Sequence, residues 1–170
     1  MLPEGVLVAN GCGEELFNGN VLNMNNGTTY TYCAEESAPN EVGCLKVDTT
    51  NHFNREKGNF SFWLADTDIV GKSKLTFYIK HTGSKPLDIS FYSTNSGNNV
   101  NYWYNGTKYE TWDNFPIEGK NEWQKVEVIL ASPIGTPIGG AQIQMTIASQ
   151  GYAWGEGEAP VIYISNIYFS

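Results

Sequence analysis

Apolar and polar residues alternate at every second position along most of this chain, and no segment shows apolar residues recurring at a sustained helical spacing. A period of two marks a strand with one buried face and one wet face. The run Lys74 to Thr82 (KLTFYIKHT) is the clearest, with Leu75, Phe77 and Ile79 on one face and Thr76, Tyr78 and Lys80 on the other. Leu87 to Ser93 sets Leu87, Ile89 and Phe91 against Asp88, Ser90 and Tyr92, and Trp123 to Ala131 sets Val126, Val128 and Leu130 against Lys125 and Glu127. Ala141 to Ser149 sets Ile143, Met145 and Ile147 against Gln142, Gln144 and Thr146. Further strands are predicted at Val42 to Asp48, Asn59 to Leu64 (Phe60, Phe62 and Leu64 against Ser61 and Trp63), Val100 to Tyr104 and Val161 to Phe169. Asn26-Gly27, between Val21 to Met24 and Thr28 to Cys33, predicts a hairpin, because Asn-Gly suits a turn with φ > 0. Short alternating runs parted by Gly, Pro and Asn predict an all-β fold: an antiparallel two-sheet β-sandwich of jelly-roll type, with helix a minor fraction.

The outward positions of these runs fall into two kinds. The Lys74 and Trp123 strands turn out Lys80, Lys125 and Glu127, an ordinary solvated face, whereas the Leu87 and Ala141 strands turn out Ser90, Tyr92, Gln142, Gln144 and Thr146, almost without charge. The latter pair is expected in one sheet whose outer surface binds a ligand, and the former pair in the other sheet. Between Leu87 and Trp112 the chain is also dense in rings, and in Val100 to Tyr104 an aromatic faces outward whichever side packs inward. Trp112 and Trp154 fall in polar, loop-like segments, where a Trp has few packing reasons to exist. Trp63 and Trp123, in or at the start of regular strands, are expected in core or inter-strand packing.

At 170 residues the chain is one domain, 1–170, with residues 1–20 an irregular N-terminal arm. A formal net charge of −8 with only 10 basic residues argues against a nucleic acid or an anionic membrane surface as partner. Charged residues are 16% of the chain, below the usual quarter, so its surface is polar mainly through amides and hydroxyls. No apolar run is long enough to cross a membrane. The 3 Cys (Cys12, Cys33, Cys44) have no zinc-ligand spacing; a Cys33 with Cys44 disulfide is favoured, both being beside strand ends, with buried free thiols the alternative. Asn26, Asn59 and Asn105 begin N-glycosylation sequons that matter only in a eukaryotic source.

From Lys74 onward the order KLTFYIKH, LDISFYS, WQKVEVIL, AQIQMTIA, VIYISNIYF resembles the C-terminal half of β-jelly-roll carbohydrate-binding modules, the galactose-binding-like type attached to plant cell-wall hydrolases. The cue is a Trp opening a Val-rich strand, an alternating apolar strand, then a closing strand of the form Y-I-x-N-I. The resemblance covers roughly the last hundred residues. It implies a secreted, monomeric, non-catalytic module, covalently linked to a catalytic one, that holds a polysaccharide or oligosaccharide on exposed aromatics with Gln, Asn and Asp alongside. Many such modules carry a structural calcium; none is required for binding here, and Ser165-Asn166 stands where the family often has an Asp. Glu14, Glu15 and Asn18 could supply oxygens, with a solvated acidic arm the alternative.

A pyranose presents C–H groups on its faces and hydroxyls at its edges, so a protein matches it with a ring beneath and amides beside it. Side-chain amides both donate and accept, which suits Gln142 and Gln144 to sugar hydroxyls. The expected ligand-binding residues are Tyr92, Trp103, Trp112, Gln142, Gln144 and Trp154, the plain alternative for the Gln pair being a solvent-facing strand. The expected ligand is a β-1,4-linked glucan such as xyloglucan or mixed-linkage or cellulosic glucan. Catalysis would need two carboxylates across a cleft. Glu110 with Asp113 and Glu156 with Glu158 are the candidates, both in turn-like sequence, and His52 and His81 have no nucleophile motif beside them. The alternatives to a binding module are therefore a jelly-roll glycoside hydrolase, or a structural or adhesin β-sandwich.

Overall fold

The computed structural model describes residues 6–9, 22–24, 29–48, 59–64, 69–95, 98–111, 113–135, 143–149 and 160–170. These form two antiparallel sheets, and no α-helix occurs among them. The larger sheet contains β1 (Val6–Ala9), β3 (Thr29–Cys33), β4 (Cys44–Asp48), β6 (Lys74–His81), β9 (Tyr102–Tyr104), β10 (Thr107–Tyr109), β12 (Gln124–Leu130), β14 (Val161–Ile164) and β15 (Ile167–Phe169). Its order is β10-β9-β12-β6-β14-β4-β3, with β15 also on β6 and β1 on β15. The smaller sheet contains β2 (Leu22–Met24), β5 (Asn59–Leu64), β7 (Leu87–Asn95), β8 (Asn98–Asn99), β11 (Asn114–Ile117) and β13 (Ile143–Ser149), ordered β11-β7-β13-β5-β2 with β8 on β7. This is the predicted all-β, two-sheet jelly-roll sandwich.

The alternation decides which residues meet in the middle. Leu75, Phe77 and Ile79 of β6, Val126, Val128 and Leu130 of β12, and Ile162 and Ile164 of β14 form one inner face. Leu87, Ile89 and Phe91 of β7, Met145 of β13, and Phe115 and Ile117 of β11 form the other. All are buried, and the area they remove from water is the main favourable term in folding. The expected split of strands holds: β7 and β13 are neighbours in the smaller sheet, β6 and β12 in the larger.

Most rings of the Leu87 to Trp112 stretch join the two inner faces. Tyr102 is fully buried, stacks on Tyr109 with centroids 5.4 Å apart and meets Phe91 edge-on at 5.6 Å. Tyr104 stacks on Phe115 at 4.0 Å, which ties β9 of one sheet to the β11 edge of the other. The Tyr102 hydroxyl donates to the Asp113 carbonyl, and burial pushes its pKa well above the ordinary tyrosine value. Asn105 (φ 48°) and Gly106 (φ 76°) make the two-residue turn between β9 and β10, the pairing of positive φ values that a tight hairpin needs.

Four expectations are corrected. The Asn26-Gly27 hairpin does not form, since β2 pairs with β5 in the smaller sheet and β3 with β4 in the larger. The closing strand is two strands, because Ser165 breaks the ladder: its hydroxyl accepts from Tyr78 N at 2.8 Å and donates to the Asn166 carbonyl at 2.9 Å. Lys80 is not solvated; it is 9% exposed, with its ammonium 2.5 Å from Glu36, 5.0 Å from the Tyr163 ring centroid and 5.7 Å from that of Trp123. Trp123, half-buried just before β12, presents its ring to that ammonium. Ser90, expected outward and wet, is 6% exposed, a short side chain between Asp88 and Tyr92 on its own strand and the flanking strands β11 and β13.

The ends of β6 and β11 are latched by a neutral imidazole. His81 is fully buried; its Nε2 lies 2.8 Å from the Ile117 carbonyl, which can only accept, and its Nδ1 accepts from Gly83 N at 3.2 Å. That pattern fixes the Nε2–H tautomer, and burial pushes the pKa below the ordinary value. The neighbouring turn is packed backbone to backbone: a Cβ on Gly119 would stand 1.8 Å from the Gly83 carbonyl oxygen.

Candidate functional site

The register of the smaller sheet sets its outer face in rows. Gln144 of β13 pairs with Tyr92 of β7 on one side and with Trp63 of β5 on the other. The next row along the strands reads Asn23, Ser61, Thr146, Ser90, Asn114, and the one after it Asn59, Ala148, Asp88, Pro116. The intervening rows carry the core residues Phe91 and Met145, then Ile89 and Phe115. Strand positions alternate between two faces, so by register the first set of rows takes the positions opposite in phase to the core residues. Across the three rows Asp88 supplies the one formal charge; the rest are two aromatics, amides, hydroxyls, an Ala and a Pro. Pro116 is tolerated because β11 is the edge of its sheet.

Trp63 and Tyr92 stand two strand spacings apart on either side of Gln144, about 9–10 Å for strands 4.7–4.9 Å apart. One strand spacing is close to the length of one sugar in an extended β-1,4 chain.

Of the six residues expected at the site, the three that are described fall on two different sheets. Tyr92 and Gln144 are brought together as cross-strand partners. Trp103 is separated from them: it lies on β9 in the larger sheet, 42% exposed, opposite Ile129 and Lys108. The chain changes sheets between β7 and β9, so nearness in sequence to Tyr92 does not become nearness in space. Trp112, Gln142 and Trp154 lie outside the described residues, as do Glu156 and Glu158. Trp63, assigned to packing from the sequence, takes an outer-row register position beside Gln144. The signal was present, since Phe60, Phe62 and Leu64 already claim the inner face of β5 and leave Ser61 and Trp63 the outer one.

Asp113 Oδ2 accepts from Glu110 N at 2.9 Å and Asp113 N donates to the Glu110 carbonyl at 2.9 Å, so this candidate acid pair closes a turn. Glu41 has both carboxyl oxygens buried, beside Ser165 and Asn166 of the larger sheet. The Ser165 hydroxyl proton is already given to the Asn166 carbonyl, and burial raises the Glu41 pKa. A calcium would need several such oxygens together. Among the described residues no three His, Cys, Asp or Glu side chains gather, and Glu14, Glu15 and Asn18, the oxygens weighed from the sequence, lie outside the described residues.

No family model and no curated protein sequence matches the chain. Solved structures do. TmCBM61, in complex with β-1,4-galactotriose, aligns over 99% of both chains at 13% identity, with a TM-score of 0.54. A mutant of CBM29-2, a family 29 carbohydrate-binding module, complexed with cellulohexaose, aligns over 96% of this chain and 89% of that one at 13% identity and a TM-score of 0.54; another mutant of it is complexed with mannohexaose. The enzymatically active domain of tailspike protein 4 from bacteriophage CBA120 also aligns, over 96% of this chain but 21% of that one, at 15% identity and a TM-score of 0.56. At such identities what is shared is the fold, and this chain has the β-sandwich fold of those carbohydrate-binding modules.

Proposed function

We propose that this chain is a non-catalytic carbohydrate-binding module that holds an extended, uncharged, β-linked polysaccharide across the outer face of its smaller sheet. The row Trp63, Gln144, Tyr92 carries the reading. Two rings at alternate-sugar spacing offer platforms for sugar faces, and the amide between them offers a donor and an acceptor to hydroxyls. A β-1,4-linked glucan such as xyloglucan or mixed-linkage or cellulosic glucan is the preferred ligand, because its backbone stays extended over several strands. Galactotriose, mannohexaose and cellulohexaose, bound by proteins of this fold, show that the fold accommodates such chains. Binding at an open face of this kind falls in the micromolar range, about −6 to −8 kcal/mol. On this reading the module acts outside the cell as a monomer and brings a covalently linked hydrolase to its substrate.

The test is affinity electrophoresis on cellulose, xyloglucan, mixed-linkage glucan, xylan, mannan and galactan, followed by calorimetric titration of the matching oligosaccharides. Retardation by a β-1,4-glucan, with no reducing sugar released, supports the proposal. Retardation by galactan or mannan alone moves the ligand and keeps the class. Absence of binding to every glycan overturns it in favour of a structural module, and release of reducing sugar in favour of a hydrolase.

A further inference from the structure

The larger sheet ends at β3, and the last register pair between β3 and β4 is Cys33 opposite Cys44. No disulfide joins them in this structure; Cys44 is fully buried and Cys33 partly exposed. Directly opposed antiparallel residues have Cα atoms about 4.5–5.5 Å apart, inside the about 4.4–6.8 Å that a disulfide spans. Cys33 Sγ meanwhile donates to Glu35 Oε2 at 3.5 Å, a weak contact that leaves the sulfur free to rotate toward its partner.

We propose that Cys33 and Cys44 are a reversible thiol–disulfide pair that staples the edge strand β3 to β4. With a small disulfide such as oxidised glutathione as oxidant, the accessible Cys33 thiolate attacks one glutathione sulfur and expels a glutathione thiolate, leaving a mixed disulfide on Cys33. The Cys44 thiolate then attacks the Cys33 sulfur and expels the second glutathione. Two protein thiols lose two electrons and two protons, and one glutathione disulfide becomes two thiols. The ring closed by this bond contains Ser37, whose hydroxyl accepts from Gly43 N at 2.9 Å, and Glu36, which holds Lys80. Oxidation therefore also tightens the loop that clamps Lys80 between Trp123 and Tyr163. Covering the edge covalently restrains the part of the sheet most open to fraying or to pairing with another chain.

The pair is tested in Cys12→Ser protein, where Cys33 and Cys44 are the remaining thiols. Equilibration with reduced and oxidised glutathione should lower the intact mass by two hydrogens, yield a Cys33–Cys44 linked peptide on digestion and raise Tm, all reversed by dithiothreitol. Adding Cys44→Ser should trap the glutathione adduct on Cys33. Persistence of two free thiols, or of a stable glutathione adduct on Cys33 while Cys44 is present, overturns the proposal. The mass readout on the single variant decides even if Cys44→Ser fails to fold, and none of these outcomes depends on glycan binding.

Discussion

On the outer face of the larger sheet, Glu127 reaches Lys125 at 2.5 Å and Lys74 at 3.6 Å, and the hydrogen bond from Lys125 holds its carboxyl below the usual range. A few residues away Lys80 is taken up by Glu36 and two rings. The outer face of the smaller sheet has a different inventory, with Trp63, Gln144 and Tyr92 in one row and Asn23, Ser61, Thr146, Ser90 and Asn114 in the next. Both faces come from the same alternation, so the fold does not distinguish them. Ions already partnered offer little to an uncharged ligand, while an amide and two rings at sugar spacing offer both hydrogen bonds and platforms.

The largest effect should come from the rings that this contrast assigns to neither face. Phe115→Ala removes a fully buried ring that contacts Tyr104, Tyr102, Tyr109 and Phe91, and it should cost about 3–5 kcal/mol of stability in urea denaturation. A loss under about 1 kcal/mol would mean that the aromatic stretch is display rather than core. The fold was readable because this burial follows period-two patterning, which sequence states directly. Strand partnership was not readable. Asn-Gly at 105–106 closes a hairpin and Asn-Gly at 26–27 does not, since β2 pairs at long range with β5 in one sheet while β3 pairs with the following strand β4 in the other, which a local turn preference does not override. The site suffered likewise: Tyr92 with Gln144 needed one cross-strand pairing to meet, whereas Trp103 was grouped with Tyr92 by nearness in sequence and crosses to the other sheet.

Within the proposed site, Trp63→Ala and Tyr92→Ala should each weaken glucan binding by about 2 kcal/mol or more, as loss of a central hot-spot ring does. Gln144→Ala should cost about 1 kcal/mol, the net worth of a typical hydrogen bond. Calorimetric titration of cellohexaose or a xyloglucan oligosaccharide measures all three. If Gln144→Ala outweighs both ring variants, recognition is hydrogen-bonded rather than stacked, and the alternate-sugar geometry loses its basis.

A smaller and graded effect is expected from acid. The His81 pKa is lowered in the folded protein, so the neutral form is favoured there and the unfolded chain takes up the proton first, near its ordinary value of about 6.5. Its contribution to stability is therefore complete above pH about 6.5 and is lost as pH falls through the depressed folded value, where a proton on Nδ1 would oppose Gly83 N–H. His81→Gln keeps a donor for the Ile117 carbonyl and removes the titration. Tm of the parent should fall below that pH more steeply than Tm of His81→Gln. Parallel slopes would place the acid sensitivity elsewhere.

The smallest effect is also the one that separates the two faces. Trp103 is 42% exposed and its neighbour Ile129 49%, so by exposure alone this corner of the larger sheet is the more obvious platform. Yet its row reads Lys108, Trp103, Ile129, Lys74, with a branched aliphatic and two ammonium groups where the smaller sheet has an amide and hydroxyls. A sugar stacked on Trp103 would find a donor only at the row's charged ends and no acceptor within the row, since an ammonium donates alone. Trp103→Ala should leave glucan affinity within about 0.5 kcal/mol of the parent, the scale of an ordinary surface change. Affinity should likewise be nearly flat between low and high salt, because the proposed face holds little charge to screen. If Trp103→Ala instead weakens binding as much as Trp63→Ala is expected to, while Trp63→Ala binds like the parent, the ligand lies on the larger sheet and exposure, not hydrogen-bonding capacity, chose the site.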